Sequence, residues 1–130
     1  MNLRLIAVFA AVLHMTATPS FPHHSFAAEF DLKLPVTLTG TVTKLEWASP
    51  HVWFYIDVKD NAGTLTNWGL EMAAPNSLLR AGWTRNSMKA GDLVTVDGFK
   101  ARNGSNNANV SSVVLTATGQ RLFSGSNPGL

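Results

Sequence analysis

Residues 51–58 read His-Val-Trp-Phe-Tyr-Ile-Asp-Val, and their alternation decides the fold. Successive side chains of an extended strand point to opposite faces, so this stretch predicts a strand with two different surfaces. One face is apolar and comprises Val52, Phe54, Ile56 and Val58. The other is polar and aromatic and comprises His51, Trp53, Tyr55 and Asp57. The first face predicts a core, and the second is a candidate binding surface.

Two more β-rich runs flank this strand, over residues 36–47 and 65–72. Turn signals separate the three runs, at residues 48–50 (Ala-Ser-Pro) and 60–63 (Asp-Asn-Ala-Gly). Short strands joined by such turns are typical of a meander.

The first run carries a signal for bending. Its apolar positions change parity between Val42 and Leu45, and Gly40 removes a side chain that would obstruct a bend. A parity change of this kind predicts a β-bulge. We therefore expect a long, bent first strand that serves two parts of a small closed barrel.

The second and third strands can be aligned by keeping apolar residues on one face. A tight turn near Asn61 predicts that Val52 lies opposite Leu70 and Phe54 opposite Trp68 on the inner face. On the outer face the same register predicts three pairs, which are His51 with Glu71, Trp53 with Gly69, and Tyr55 with Asn67.

The rest of the chain completes a barrel. Residues 74–82 predict a short helix with Pro75 in its first turn and Gly82 just after its end, and we expect Leu78, Leu79 and Trp83 to cap the core. Further strands are expected over residues 93–99 and 110–116, with a short sixth strand over 121–123. The order of three strands, helix and two strands predicts an all-β, OB-fold-like five-stranded barrel over residues 36–123. The competing architecture is an open sandwich of six or seven strands.

The beginning of the chain has the pattern of a leader peptide. Arg4 precedes the apolar run of residues 5–13, and small and polar residues follow it up to Ser20. This order predicts a signal peptide over residues 1–20, cut between 17 and 22, and the apolar run is too short to span a bilayer. We expect a periplasmic or secreted protein with no membrane span after signal removal. Residues 21–35 would form an extended, His-containing N-terminal segment, and residues 124–130 a loose tail.

Composition limits the function classes. The chain contains no cysteine, so disulfides and thiolate metal sites are excluded. Ten Lys and Arg residues stand against eight Asp and Glu residues, and the basic residues are not clustered. A phosphate backbone requires a clustered positive face, so the sequence predicts that nucleic acid is not a partner.

Several short stretches together resemble one family. They are His23-His24-Ser25-Phe26-Ala27-Ala28-Glu29-Phe30-Asp31, Leu38-Thr39-Gly40-Thr41-Val42, Trp47-Ala48-Ser49-Pro50-His51, Trp68 to Glu71, Gly82-Trp83, Gly91-Asp92, Gly104-Ser105 and Arg121-Leu122-Phe123. On these residues the chain resembles an exported bacterial family catalogued as domain of unknown function 6152. It departs from the family pattern at Pro22, Ser49 and Ala90, where Ala, Asn and Pro are usual. The resemblance implies export and fold, and it implies no activity.

The outer face of the second strand is the predicted ligand site. Flat rings beside amides and carboxylates suit sugars or small amphipathic ligands, and barrels of this type commonly bind on this face. The predicted ligand-binding residues are His51, Trp53, Tyr55, Asn67, Glu71 and Arg102. The alternative is that residues 21–34, with Phe26 and Phe30, cover Trp53 and Tyr55 and form a second small core.

The histidines offer a second hypothesis, which is metal binding, while motifs for catalysis are missing from the sequence. Three histidines follow the leader, namely His23, His24 and His51, and imidazole is a common ligand of copper and zinc. Adjacent residues of an extended chain point in opposite directions, which argues against one ion between His23 and His24. The sequence has no nucleophile elbow or phosphate loop. It therefore predicts a non-enzymatic module without a cofactor that binds a small-molecule or protein ligand in the cell envelope, with a periplasmic copper- or zinc-binding protein as the alternative.

Overall fold

The computed structural model describes residues 25–124, which form six strands and two short helices. In chain order the elements are α1 (Phe26–Glu29), β1 (Phe30–Glu46), β2 (Trp53–Lys59), β3 (Leu65–Glu71), α2 (Pro75–Arg80), β4 (Leu93–Ala101), β5 (Asn107–Leu115) and β6 (Gln120–Phe123). The strands follow the spatial order β3-β2-β1-β4-β5-β6, and a parallel pairing of β3 with β5 closes the ring. The predicted OB-fold-like barrel is confirmed, and β6 adds the sixth strand at the edge.

β1 serves two neighbours, as its sequence predicts. It pairs with β4 up to Thr41 and with β2 from Thr41 onward, and the register shifts between Val42 and Lys44. A Cβ atom on Gly40 would lie 2.5 Å from the backbone oxygen of Asp57, so the close crossing of β1 and β2 requires glycine there. The strand begins at Phe30, so the predicted start of the barrel at residue 36 falls inside β1.

The interior is built from the apolar face of β2. Phe54 and Ile56 are fully buried, and Leu70 of β3 is buried beside them. Each such side chain contributes about 1.5–3 kcal/mol by leaving water. On the opposite face Trp53 and Tyr55 are only half-buried. The predicted assignment of faces is therefore confirmed.

The predicted register of β2 and β3 is wrong by two residues. Phe54 lies opposite Leu70, Trp53 opposite Glu71 and Tyr55 opposite Gly69. The turn is longer than predicted because the Asp60 carboxylate accepts hydrogen bonds from the backbone N–H groups of Ala62 and Thr64, both at 2.9 Å. A slip of two residues leaves every side chain on its predicted face.

α2 and the turn after it cover one end of the core with two of the three residues predicted to do so. Pro75 stands in its first turn, and Gly82 follows it with a φ of +95°, as predicted. Leu78 and Trp83 are buried, and the Trp83 indole N–H donates to the carbonyl of Phe123 at 3.0 Å. The prediction for Leu79 is wrong, since its side chain is 51% exposed. Consecutive helical residues point about 100° apart, so Leu78 and Leu79 cannot both face the core.

The two ends of the described chain differ from the extended segment and loose tail that the sequence predicts. Residues 26–29 form α1 before the chain becomes extended at Phe30. Ser124 is buried, and its hydroxyl accepts a hydrogen bond from the backbone N–H of Ala73 at 3.2 Å. The predicted signal peptide, His23, His24 and residues 125–130 lie outside the described residues. Within residues 25–124, no helix is long and apolar enough to cross a membrane.

Candidate functional site

A cleft of about 500 Å³ opens on the outer face of the barrel beside Trp53. One wall comes from α1 and the start of β1, and the other from the end of β4 and the loop before β5. Its lining residues are Ala28, Glu29, Phe30, Trp53, Ala101, Arg102, Asn103 and Asn107. The cleft therefore combines apolar side chains, amides and charged groups, which is the usual composition of a small-ligand site.

Trp53 and Arg102 are the two predicted ligand-binding residues that line this cleft. Trp53 presents a half-buried ring from the outer face of β2. A half-buried indole ring in the lining of a cleft is suited to stacking on a flat ligand.

Arg102 fastens α1 to the barrel. Its Nε donates to the carbonyls of Ala27 at 2.8 Å and Phe30 at 3.1 Å, and its guanidinium contacts the Asp31 carboxylate at 3.1 Å. Its backbone N–H also donates to the carbonyl of Glu29 at 2.8 Å. The guanidinium group of Arg102 thus holds one wall of the cleft in place, a positioning role that the sequence did not predict.

The phenylalanines of the N-terminal segment pack on β4. The Phe26 ring lies 5.6 Å from that of Phe30 and 6.3 Å, edge to face, from that of Phe99. These contacts form a small aromatic cluster next to the cleft and leave Trp53 in its lining. The two phenylalanines therefore cluster with Phe99, whereas the predicted alternative placed them over Trp53 and Tyr55.

Tyr55 lies next to the cleft on the same face of β2. Its ring covers Gly69, where an added Cβ would lie 3.4 Å from Tyr55 Cε1 and would clash with the Asn107 side chain. The Tyr55 hydroxyl donates to Glu46 at 3.3 Å, and Lys44 Nζ lies 5.7 Å from the ring centroid. Partial burial and the Glu46 carboxylate raise the pKa of Tyr55.

Asn67 lies outside the cleft. Its Nδ2 donates to the Asp57 carboxylate at 2.8 Å, across the pair that β2 and β3 form at this level. The predicted ligand-binding role of Asn67 depends on a register in which it faces Tyr55, and in the structure Gly69 takes that place.

His51 and Glu71 meet in a second pocket of about 160 Å³ beside the cleft. His51 Nδ1 contacts Glu71 Oε1, while the other carboxylate oxygen, Oε2, is buried and has no hydrogen-bond partner among the described residues. Glu71 is only 5% exposed. Its burial raises the pKa of the carboxyl, the nearby Glu29 raises it further, and His51 opposes both.

The burial of Glu71 follows from barrel closure. Glu71 is on the outer face of β3, but β5 runs parallel to that strand and places Asn109 at the same level. Phe26, Glu29 and Phe30 line the same pocket. A position that would be exposed in an isolated hairpin is therefore covered on two sides.

The predicted ligand-binding set leaves out most of the residues around Trp53 and Glu71. They are Ala28, Glu29, Phe30, Ala101, Asn103, Asn107 and Asn109. The two asparagines of β5 precede the predicted start of that strand at residue 110. The repeated Asn in residues 103–109 was the available signal, since an amide-rich loop beside a sheet edge indicates polar contacts.

The predicted metal ligands are only partly within the described chain. His51 lies in the pocket with Glu71, and His23 and His24 are outside the described residues. Among residues 25–124 there is no group of three His, Cys, Asp or Glu side chains arranged to hold a metal ion.

Comparisons with known proteins concern family and fold. The sequence profile of a family of unknown function, DUF6152, matches residues 11–110. Among solved structures, the chain is similar to the crystal structure of the mitochondrial single-stranded DNA binding protein Rim1 from S. cerevisiae (form 2). The TM-score is 0.50 at 11% sequence identity, over 63% of this chain and 92% of that one. No curated protein matches the sequence.

The prediction that excluded nucleic acid as a partner is wrong. The exclusion was based on unclustered charge, and the solved structure with a similar fold is that of a single-stranded DNA binding protein. At 11% identity the likeness concerns the fold. Charge distribution in the sequence is therefore not a sufficient reason to remove nucleic acid from the ligand classes.

Proposed function

The chain belongs to the DUF6152 family of unknown function, a name that assigns no activity, and we propose that it is an exported, non-enzymatic binding module. Its ligand would be a small molecule with a flat, partly apolar surface, held in the cleft beside Trp53. The observation that carries this proposal is the half-buried Trp53 ring in a cleft of about 500 Å³.

The chemistry of the cleft favours a sugar-like ligand. Trp53 supplies apolar surface for the C–H face of a ring, and Asn103 and Asn107 supply amide donors and acceptors for hydroxyl groups. Because Arg102 holds α1 against the barrel, both walls are fixed before the ligand arrives. A preformed site loses less entropy on binding than one that must be ordered.

A non-enzymatic role is favoured by the surroundings of His51 and Glu71. An imidazole and a buried carboxyl with a raised pKa are the components of an acid-base pair. In the part of the chain that the structure describes, however, no Ser, Thr or Cys side chain lines their pocket. The pair therefore lacks an adjacent nucleophile, and we assign it to binding.

A matched pair of tryptophan variants tests the proposal. Cellotriose and chitotriose are titrated into the purified mature chain by calorimetry, together with Trp53→Ala and Trp47→Phe. Trp47 is also half-buried, but it does not line the cleft. We expect binding that weakens about tenfold or more in Trp53→Ala and is unchanged in Trp47→Phe, because ring stacking contributes about 1–3 kcal/mol. Equal affinity in both variants would contradict the cleft as the site.

Single-stranded nucleic acid is the second candidate ligand. Two observations favour it, namely the fold shared with a single-stranded DNA binding protein and the cation-aromatic pairs on the barrel, Lys44 with Tyr55 and Lys100 with Trp68. Bases stack on such rings while cations contact phosphates. Anisotropy of labelled oligo(dT) is measured between about 50 and 200 mM salt, where a phosphate-dependent complex weakens steeply. Binding that is lost in Tyr55→Ala and retained in Trp53→Ala would select this candidate.

Copper or zinc binding by His51, together with His23 and His24, remains the alternative from a different class. It is favoured by the contact of His51 Nδ1 with a carboxylate, which is typical of metal-ligating histidines whose other ring nitrogen holds the ion. Titration with Cu(II) and Zn(II) checks it, with His51→Ala and the double variant His23→Ala/His24→Ala as the discriminating pair. Micromolar binding lost in both would replace the cleft proposal.

A further inference from the structure

The pocket that contains Glu71 includes a buried acceptor atom that the described residues leave without a hydrogen bond. The Glu71 side chain is 6% exposed, and its Oε2 atom has no hydrogen-bond partner within residues 25–124. A buried polar atom without a partner costs about 1–3 kcal/mol, and more when it is charged. A fold that retains such an atom next to a cleft gains if a ligand group donates to it.

The charge of this pocket favours a cation. Glu29 and Glu71 both line it, and the carboxylate of Glu29 is close enough to raise the pKa of Glu71. Among the described residues, His51 is the one basic side chain in the lining, and its Nδ1 contacts Oε1 of Glu71. A positive group near Oε2 would relieve the repulsion between the two carboxylates.

The remaining lining favours an organic cation over a metal ion. Phe26 and Phe30 line the same pocket, and aromatic faces attract ammonium groups. A divalent metal requires several ligands at short distances, and the described residues contain no group of three His, Asp or Glu that meets this requirement. A volume of about 160 Å³ is large enough for a head group of a few heavy atoms.

The pocket adjoins the proposed ligand site. Glu29 and Phe30 line both the cleft and the pocket, so the two cavities adjoin at these residues. We infer that the ligand carries a protonated amine, which enters this pocket and donates to Glu71 Oε2. This inference rests on the proposed binding function and identifies its ligand class as amine-bearing, with amino sugars as the simplest members.

The experiment compares ligands that differ in one charge. Glucosamine, N-acetylglucosamine and glucose are titrated into the full mature chain at a pH where the amine is protonated. We expect glucosamine to bind about tenfold more tightly than the two uncharged sugars, the usual contribution of one charge-assisted hydrogen bond. Ethylammonium, added alone, should shift the NMR signal of the Glu71 side-chain carboxyl.

Two glutamate variants test whether the preference for glucosamine arises in the pocket. Glu71→Gln keeps an oxygen that accepts from His51 but removes the charge, so the preference for glucosamine should disappear. Glu46→Gln removes one carboxylate from the partly exposed surface near Tyr55 and should keep the preference. Thermal melts of both variants confirm that they are folded before affinities are compared.

The outcomes separate this inference from the proposed function. If all three sugars bind equally, or if the preference survives Glu71→Gln, the amine site is refuted and the binding module stands. If no sugar binds but ethylammonium shifts the Glu71 carboxyl, the amine site stands and the sugar-like ligand is rejected. If neither response occurs, both are overturned.

Discussion

His51 and Glu71 contact each other although they do not face each other across the sheet. The Cα partner of Glu71 is Trp53, and His51, two residues earlier on the same face, reaches Glu71 Oε1 diagonally. Diagonal neighbours on one face of an antiparallel pair are within reach of long side chains. This contact connects the candidate ligand face of β2 to the buried carboxyl of β3, and it leads to the first prediction.

The stability contribution of Glu71 should fall as pH rises. Burial raises its pKa above the ordinary 4.5, so the folded protein holds the proton more tightly than the unfolded chain does. The contribution is therefore complete below the unfolded pKa and is lost as pH rises through the higher folded pKa. Urea denaturation across this range should show that Glu71→Gln gains stability relative to the natural chain as pH increases.

Asp97 provides a control of the opposite sign. Hydrogen bonds from Thr37, Arg121 and Ser112 lower the pKa of Asp97 below the ordinary 3.8. Its contribution is present above the unfolded pKa and is lost as pH falls through the folded pKa. The stability cost of Asp97→Asn should therefore shrink on acidification. Slopes of the same sign for the Glu71 and Asp97 variants would refute the burial of Glu71.

Removal of the Arg102 guanidinium group should release α1 while the barrel stays folded. Arg102 donates from Nε to the carbonyls of Ala27 and Phe30 and from Nη1 to Asp31, and the single side-chain nitrogen of lysine cannot reproduce that arrangement. We expect faster amide hydrogen exchange in residues 26–30 of both Arg102→Ala and Arg102→Lys, and weaker ligand binding in the cleft. Arg80→Ala, an exposed change on α2, is the control and should leave both measurements unaltered. Unchanged exchange in Arg102→Ala would show that the guanidinium of Arg102 does not hold the segment.

The core of the barrel should be much more sensitive than its exposed leucine. Phe54 is fully buried, so Phe54→Ala should lower the free energy of unfolding by about 3–5 kcal/mol. Leu79 is 51% exposed, and Leu79→Ala should stay within about 0.5 kcal/mol. Chemical denaturation measures both, and a large cost for Leu79→Ala would indicate that α2 is covered in solution.

The crossing of β1 and β2 should not tolerate a methyl group. An added Cβ on Gly40 would lie 2.5 Å from the backbone oxygen of Asp57, and a backbone atom in a strand cannot move away cheaply. Gly40→Ala should therefore destabilise the fold by about 1–3 kcal/mol. Thr39→Ala, at an exposed neighbouring position, is the matched control. Equal midpoints of denaturation for the two variants would contradict this close approach.

The alternation in residues 51–58 predicted the core side chains correctly, although the predicted pairing of the strands was wrong by two residues. Side chains alternate every two residues, so a shift of two keeps each one on the same face of the sheet. Trp53 and Tyr55 face outward whether they lie opposite Gly69 and Asn67, as predicted, or opposite Glu71 and Gly69, as found. The length of the turn after Asp60 was missed because it depends on hydrogen bonds of that side chain to Ala62 and Thr64. The alternation of residues in one strand carries no information about these hydrogen bonds.

The candidate site was harder to predict than the core because it depends on ring closure. The parallel pairing of β3 with β5 brings Asn107 beside Gly69 and Asn109 beside Glu71. This pairing follows from the curvature of the whole barrel, which has no local signature in the sequence. Trp53 and Glu71 were therefore identified as surface residues, while the burial of Glu71 and the amide wall of the cleft were not.

The Arg102 contacts join parts of the chain that are far apart in sequence. Ala27 and Arg102 are separated by 75 positions, so one wall of the cleft is in place only when the N-terminal stretch is docked on the barrel. Cleavage near residue 30 would remove one wall of the cleft and spare the barrel core, so the first described residues form a detachable half of the candidate site.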